Sequence, residues 1–140
     1  MAKQVRELMN KEPIKLSAST PVIEAARRMR DAHVGAVIVA DGDQMSGIVT
    51  DRDITVRVVA QGRDPNTTRL SEIASKDLTT VSQEDDIDRA IQVMRQKAVR
   101  RIPVVDSSKQ AVGILSLGDL ALERDPRSVL GQISGAPPNR

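Results

Sequence analysis

Gly47-Ile48-Val49-Thr50-Asp51-Arg52-Asp53 and Gly113-Ile114-Leu115-Ser116-Leu117-Gly118-Asp119 share one pattern: glycine, two apolar residues, a hydroxyl residue, two free positions and an aspartate. They stand 66 residues apart, and the likeness extends well beyond them. Upstream, at an offset of 65, Val5-Arg6-Glu7-Leu8-Met9 lies over Leu70-Ser71-Glu72-Ile73-Ala74. The same offset pairs Leu16/Val81, Val22/Ile87, Ala25/Ala90, Met29/Met94, Val34/Val99, Val39/Val104 and Asp41/Asp106. One extra residue in the second copy's turn then sets the later offset. Internal repetition decides architecture before any single element does. Two copies are too few for a solenoid, so a closed pseudo-twofold pair is expected.

Each copy reads as β-α-β-β-α. Short apolar strands (Ile14–Leu16, Thr79–Val81) lead into polar turns. In the first turn Thr20 is placed to cap a helix and Pro21 to occupy its first position. Spacings of three and four predict that the helices bury Val22, Ala25, Ala26 and Met29 in one copy, and Ile87, Ala90, Ile91, Met94 and Ala98 in the other. Two strands follow around a tight turn: Ala36–Ala40 and Met45–Val49, then Ile102–Val105 and Gln110–Leu115. A second helix comes next, over Asp51–Gln61 and Leu117–Arg124. The expected fold is α/β, of α+β-like character, with a first repeat at 1–62, a turn-rich linker at 63–69, a second repeat at 70–125 and a tail at 126–140. The end of that tail, Ser134 to Arg140, is expected to fray.

Composition narrows the function. The 140 residues contain no Phe, Tyr, Trp or Cys, so the core must be aliphatic, with five Met as fillers. Cysteine chemistry, disulfides and thiolate metal sites are excluded. Net charge is +2, and neither half is a basic arm, with 11 basic against 9 acidic residues in 1–69 and 10 against 10 in 70–140. Without a basic face or stacking aromatics, nucleic acid is a poor partner. No run approaches the ~20 apolar residues of a membrane span, and the first residues lack a signal-peptide core. The expectation is a soluble cytoplasmic protein without membrane association.

The repeated motif is the candidate for chemistry. A glycine lets another group approach a strand backbone closely. A hydroxyl and free N–H groups at a helix start suit a phosphate. An aspartate one turn in can accept hydrogen bonds from two vicinal ribose hydroxyls. The same residues also describe a capping box, in which hydroxyl and carboxylate satisfy the helix's own N–H groups. A single such segment reads first as a cap. Two, each with the same glycine and the same preceding strand, favour a ligand.

The paired copies, the stretch Ile102-Pro103-Val104-Val105-Asp106 and the Gly-x-x-Ser/Thr-x-x-Asp endings resemble the CBS-domain family over roughly residues 3–124. The layout is also similar to the small stand-alone CBS pairs of the hypoxic-response type, including Thr50-Asp51-Arg52-Asp53-Ile54 and Asp64-Pro65-Asn66-Thr67. The resemblance implies two pseudo-twofold related repeats packed through their sheets into one flat module, dimerising with a second copy. Clefts between the repeats would take AMP, ADP, ATP or another adenosyl small molecule. It implies that Asp53 and Asp119 hold ribose hydroxyls and that Thr50 and Ser116 meet phosphate or ribose. Backbone around Val37, Ile38, Ile102 and Pro103 would line the adenine slot, and Lys15 and Thr80 would border the clefts. Arg101 would contact phosphate; Ala36 is its counterpart, so unequal affinities are expected. No cofactor is required. The function implied is regulatory and energy-sensing, with the signal passing to a separate regulated protein.

Other groups carry less. His33, the only histidine, ends the first copy's helix and reads as a cap or surface residue rather than a metal ligand. Glu84, Asp85, Asp86 and Asp88 crowd the start of the second copy's helix, where acidic groups favour the dipole. No nucleophile motif with a base is present, so an enzyme is not expected. The alternative to a nucleotide sensor is a ligand-independent structural or interaction module in which both Ser/Thr-x-x-Asp segments are only caps.

Overall fold

The computed structural model describes residues 3–76, 78–124, 127 and 129–136. The chain forms two compact units, one contiguous (Pro13–Leu78) and one assembled from both ends (Met1–Glu12 with Thr79–Arg140).

In the contiguous unit, β1 (Lys15–Leu16), β2 (Ala36–Asp41) and β3 (Gln44–Thr50) form a sheet in that order. β1 runs parallel to β2, with Lys15 in register with Ile38, and β2 pairs antiparallel with β3, Ala36 opposite Thr50. The parallel crossover is α1 (Val22–Ala32), whose buried residues are Val22, Ala25 and Met29. After β3 come α2 (Asp51–Ile54), a π turn over Thr55–Val59, and the short α3 (Leu70–Ile73). The expected Asp51–Gln61 helix thus changes hydrogen-bonding pattern at Thr55, where the β-branched run Ile54-Thr55-Val56 begins and α-helical propensity falls. An aliphatic core of Val22, Ala25, Met29, Val37, Val39, Val49, Val58, Leu70 and Ile73 closes the unit.

The second unit repeats the plan. A 3-10 turn (Val5–Glu7) precedes β4 (Val81–Ser82), α4 (Ile87–Lys97), β5 (Arg101–Val105), β6 (Ala111–Ser116) and α5 (Leu117–Arg124). The sheet order is β4-β5-β6, parallel then antiparallel. Its core gathers Val5, Val81, Ile87, Ala90, Val93, Met94, Ile102, Val104, Leu115 and Leu120. Val93 belongs to the core, whereas Ala98 is exposed because it lies beyond the helix at a left-handed cap, φ 53°. His33 occupies the matching exposed cap of α1, φ 55°. A helix not foreseen in the sequence, α6 (Val129–Ser134), packs on α5. Residues 134–136, expected to fray, continue from it: Gly135 and Ala136 donate to the carbonyls of Gly131 and Ile133. Residues 137–140 lie outside the described residues.

The segment that precedes each repeat joins the other repeat's unit, and it does so through matching hydrogen bonds. Leu70 N–H donates to the Thr20 carbonyl and Ser71 N–H to that of Ala18; in the second unit Val5 donates to Asp85 and Arg6 to Gln83. Asn10 pairs with Ile114 as Ser75 pairs with Ile48. The helix starts are satisfied in the same way. Val22 N–H donates to Thr68 (2.8 Å) and Ile23 to Pro65 (3.0 Å), while Ile87 N–H donates to Lys3 (3.1 Å). This corrects the expected cap of α1. Pro21 itself is the cap residue, with extended backbone, and Thr20 turns its hydroxyl to Ser17 (3.1 Å). Carbonyls of the turn-rich stretch before Arg69 take over the role. In α4 a side chain does cap, since Asp86 accepts from Arg89 N–H at 2.9 Å.

Candidate functional site

The two motifs sit where β3 meets α2 and where β6 meets α5. Ala36 and Thr50 are opposed in register, and Asp51 N–H donates to the Gly35 carbonyl (3.0 Å), so the corner is tied to the start of β2. In the second unit Arg101 opposes Ser116, and Leu117 N–H donates to the Arg100 carbonyl (2.8 Å). Sheet pairing therefore fixes both corners before any side chain acts.

At each corner the capping box is closed. Asp53 N–H donates to Thr50 Oγ1 (3.1 Å), and Thr50 N–H donates to Asp53 Oδ2 (2.8 Å). Asp119 N–H donates to Ser116 Oγ (3.2 Å), and Ser116 N–H to Asp119 Oδ2 (2.8 Å). The box uses one oxygen of each carboxylate. Oδ1 of Asp119 has no hydrogen-bond or ion-pair partner among the described residues. Oδ1 of Asp53 faces Arg57 Nε at 4.0 Å, and Arg57 Nη1 donates to the Ile73 carbonyl at 2.8 Å. Thr50, Asp53, Ser116 and Asp119 are all half-buried, open enough to meet a ligand and fixed enough to orient one.

The other expected site residues divide between the units. The first unit brings Lys15, Val37 and Ile38 to the sheet that carries Thr50 and Asp53. Lys15 is exposed; Val37 and Ile38 are fully buried in side chain, and Ile38 N–H already donates to the Ile14 carbonyl (2.8 Å). The second unit gathers Arg101, Ile102 and Pro103 on β5, with Thr80 immediately before β4. Arg101 and Thr80 are half-buried, whereas Ile102 and Pro103 are buried. Apolar members of the set thus have only backbone to offer.

Gly47 and Gly113 answer to a different neighbour from the one the motif implied. A Cβ at Gly47 would lie 2.8 Å from the Ser75 carbonyl oxygen, and one at Gly113 would lie 2.8 Å from that of Asn10. The close approach that glycine permits is made by the chain's own edge segment. The signal was present in the sequence, since Met9-Asn10 and Ala74-Ser75 also stand at the repeat offset. Arg57 was likewise not singled out, although it lies one helical turn after Asp53.

The acidic cluster is dispersed among separate tasks. Asp85 accepts from Ser82 N–H (2.9 Å), Asp86 caps α4, Glu84 faces Arg6 (3.3 Å) and Asp88 pairs with Arg124. Among the described residues no group of three or more His, Cys, Asp or Glu is arranged to hold a metal. An apolar groove of about 390 Å³ lies between α4 and α5, lined by Ile91, Met94, Val99, Leu117, Leu120 and Ala121 with Arg95 and Arg124. It includes none of the expected site residues. No described helix is long and apolar enough to cross a membrane.

Comparison with known proteins bears on the family and the fold. The CBS domain model matches residues 5–60 and 70–124. The chain is 38% identical over 120 residues to the CBS domain-containing protein YhcV of Bacillus subtilis, covering 86% of this chain and 84% of that one. A further curated relative is matched over 60% of its length. A crystal structure of Hypoxic Response Protein I with two coordinated zinc ions is 32% identical, with a TM-score of 0.73 over 86% of this chain and 98% of that one. The CBS domain pair of protein MJ0100, crystallised with 5'-methylthioadenosine and S-adenosyl-L-methionine, shares the fold: TM-score 0.81, 22% identity, 91% and 100% coverage.

Proposed function

This chain belongs to the CBS-domain family, and from that premise we propose that it is a non-catalytic regulatory module that binds an adenine nucleotide, AMP, ADP or ATP. The observation that carries the reading is the Asp119 corner: a half-buried carboxylate fixed by its own helix cap, with one oxygen unengaged by any of the described residues. Such an oxygen, held at a constant angle, accepts hydrogen bonds from a vicinal diol without first being reoriented. The fold itself holds adenosyl ligands in the MJ0100 pair. The repeat supplies a second corner of the same construction around Thr50 and Asp53. The module works as a homodimer and passes its signal to a separate protein. Binding biases that partner only through a difference in affinity between two arrangements of the module.

A second reading has an observation of its own, namely that both boxes are complete as helix caps. On that reading the motif serves stability alone. Thermal denaturation of the parent and of Asp119→Ala, with and without each nucleotide, separates the two. The expected outcome is a saturable rise in melting temperature with one of the three, equivalent to about 2.7 kcal/mol at a hundredfold excess over Kd, and reduced in Asp119→Ala, which leaves only the Thr50/Asp53 corner to bind. The capping reading instead predicts a stability loss of about 0.5–2 kcal/mol in the variant and no ligand response in either protein. That result would refute nucleotide binding.

A further inference from the structure

The two carboxylates have opposite neighbours one turn along their helices. In the first copy that neighbour is Arg57, held by the Ile73 carbonyl at 2.8 Å, with Nε 4.0 Å from Asp53 Oδ1. At the repeat offset of 66 its counterpart is Glu123, an acid that cannot neutralise Asp119. Glu123 is instead engaged by Lys3 Nζ at 3.1 Å. Arg101, which stands in register with Ser116, comes from β5 rather than from the helix that carries Asp119.

Resting on the adenine-nucleotide reading, we propose that Arg57 is a specificity-determining residue: it closes the Asp53 corner to uncharged nucleosides and opens it to phosphorylated ones, while the Asp119 corner accepts both. The chemistry follows from the oxygen each corner has left. Oδ2 of Asp53 belongs to the cap, so a ribose must use Oδ1, which already faces a guanidinium. A nucleoside without phosphate brings hydroxyls that compete with a charge and offers the displaced arginine nothing in return. A phosphate gives that arginine a charge-assisted partner. The side chain is 48% exposed, and its ion pair to Asp53 is long, so it is free to exchange one anion for another. At Asp119 no such exchange is needed.

The test is calorimetric titration of the full chain with adenosine and with AMP. Asp119→Ala isolates the first corner, and Arg57→Ala or Arg57→Gln is then added. Glutamine keeps an N–H donor available for the Ile73 carbonyl without the charge, so it decides the case if the alanine variant folds poorly. With Arg57 present, AMP should bind the isolated corner at least about tenfold more tightly than adenosine, a difference of the size expected from one charge-assisted hydrogen bond. Without Arg57 the two ligands should converge, adenosine gaining and AMP losing. An unchanged AMP-to-adenosine ratio in both Arg57 variants would overturn the proposal and leave nucleotide binding standing. Failure of the parent to bind either ligand at millimolar concentration would instead overturn the nucleotide reading, and this proposal with it.

Discussion

The contiguous unit and the unit built from both chain ends carry the same sheet, the same crossover helix and the same capped corner, yet they acquire their edge segment from opposite directions. Leu70 and Ser75 come back to the repeat that precedes them; Val5 and Asn10 reach the repeat that follows. What the difference teaches is that a repeat in sequence is not the unit that folds. Each β-α-β-β-α stretch leaves part of its core open, and the segment that closes it places a fully buried side chain there: Leu70 in one unit, Val5 in the other. Family resemblance follows the sequence repeat, while packing follows the exchange.

The largest expected effect tests that exchange directly. Leu70→Ala should cost about 2–5 kcal/mol, and Val5→Ala less, since fewer buried carbons are removed. Amide hydrogen exchange reads where the loss falls. Leu70→Ala should loosen residues 22–49 more than 81–116, and Val5→Ala should do the reverse. Loosening confined to each residue's own sequence repeat would break the comparison.

Next in size are the two motif glycines. Gly47→Ala and Gly113→Ala each drive a methyl against a backbone carbonyl and should cost about 1–3 kcal/mol, the range for overpacking. Gly47→Ala should cost more, because its second contact is Ala74 Cβ at 3.1 Å, which is rigid, whereas Gly113 also meets the movable Met9 side chain. Urea midpoints of the two variants sharpen the comparison; stability equal to the parent's in both would dissolve it.

The smallest effect is a gain. Ala98→Gly relieves a left-handed residue that has no side chain able to support it, and should stabilise by about 0.5 kcal/mol after the entropy of an added glycine is counted. His33→Gly, at the matching position, should gain less, since histidine tolerates that region better than alanine. Melting temperatures of the pair check the order.

Much of this architecture was legible in the sequence. Matched positions such as Val22/Ile87 and Met29/Met94 gave the copies and their buried faces, because periodicity is local and survives in one dimension. Strand ends shifted by one or two residues, as with Thr79–Val81 against Val81–Ser82. The cap of α1 was not legible, since carbonyls more than forty positions downstream displace Thr20, and no local pattern records that. Ala98 was misplaced for a related reason: spacing extends a helix past the point where its backbone turns left-handed. At the corners the cap pattern was readable from Thr50/Asp53 and Ser116/Asp119. The duty of Gly47 and Gly113 toward the edge segments was not, because it depends on which part of the chain arrives there.

That arrival has a temporal side. A chain emerging from the ribosome presents Val5 to Asn10 before residues 81–116, so when they appear their destination does not yet exist. Residues 13–78 are complete earlier and hold all of their own core. The older repeat can therefore settle while the opening segment waits, and the second unit must then close a loop spanning the whole of the first. Loop entropy grows only slowly with length, by about 0.6 kcal/mol per doubling, so this delay costs little stability; it sets the order of assembly, with residues 5–10 made before residues 13–78 and placed after them.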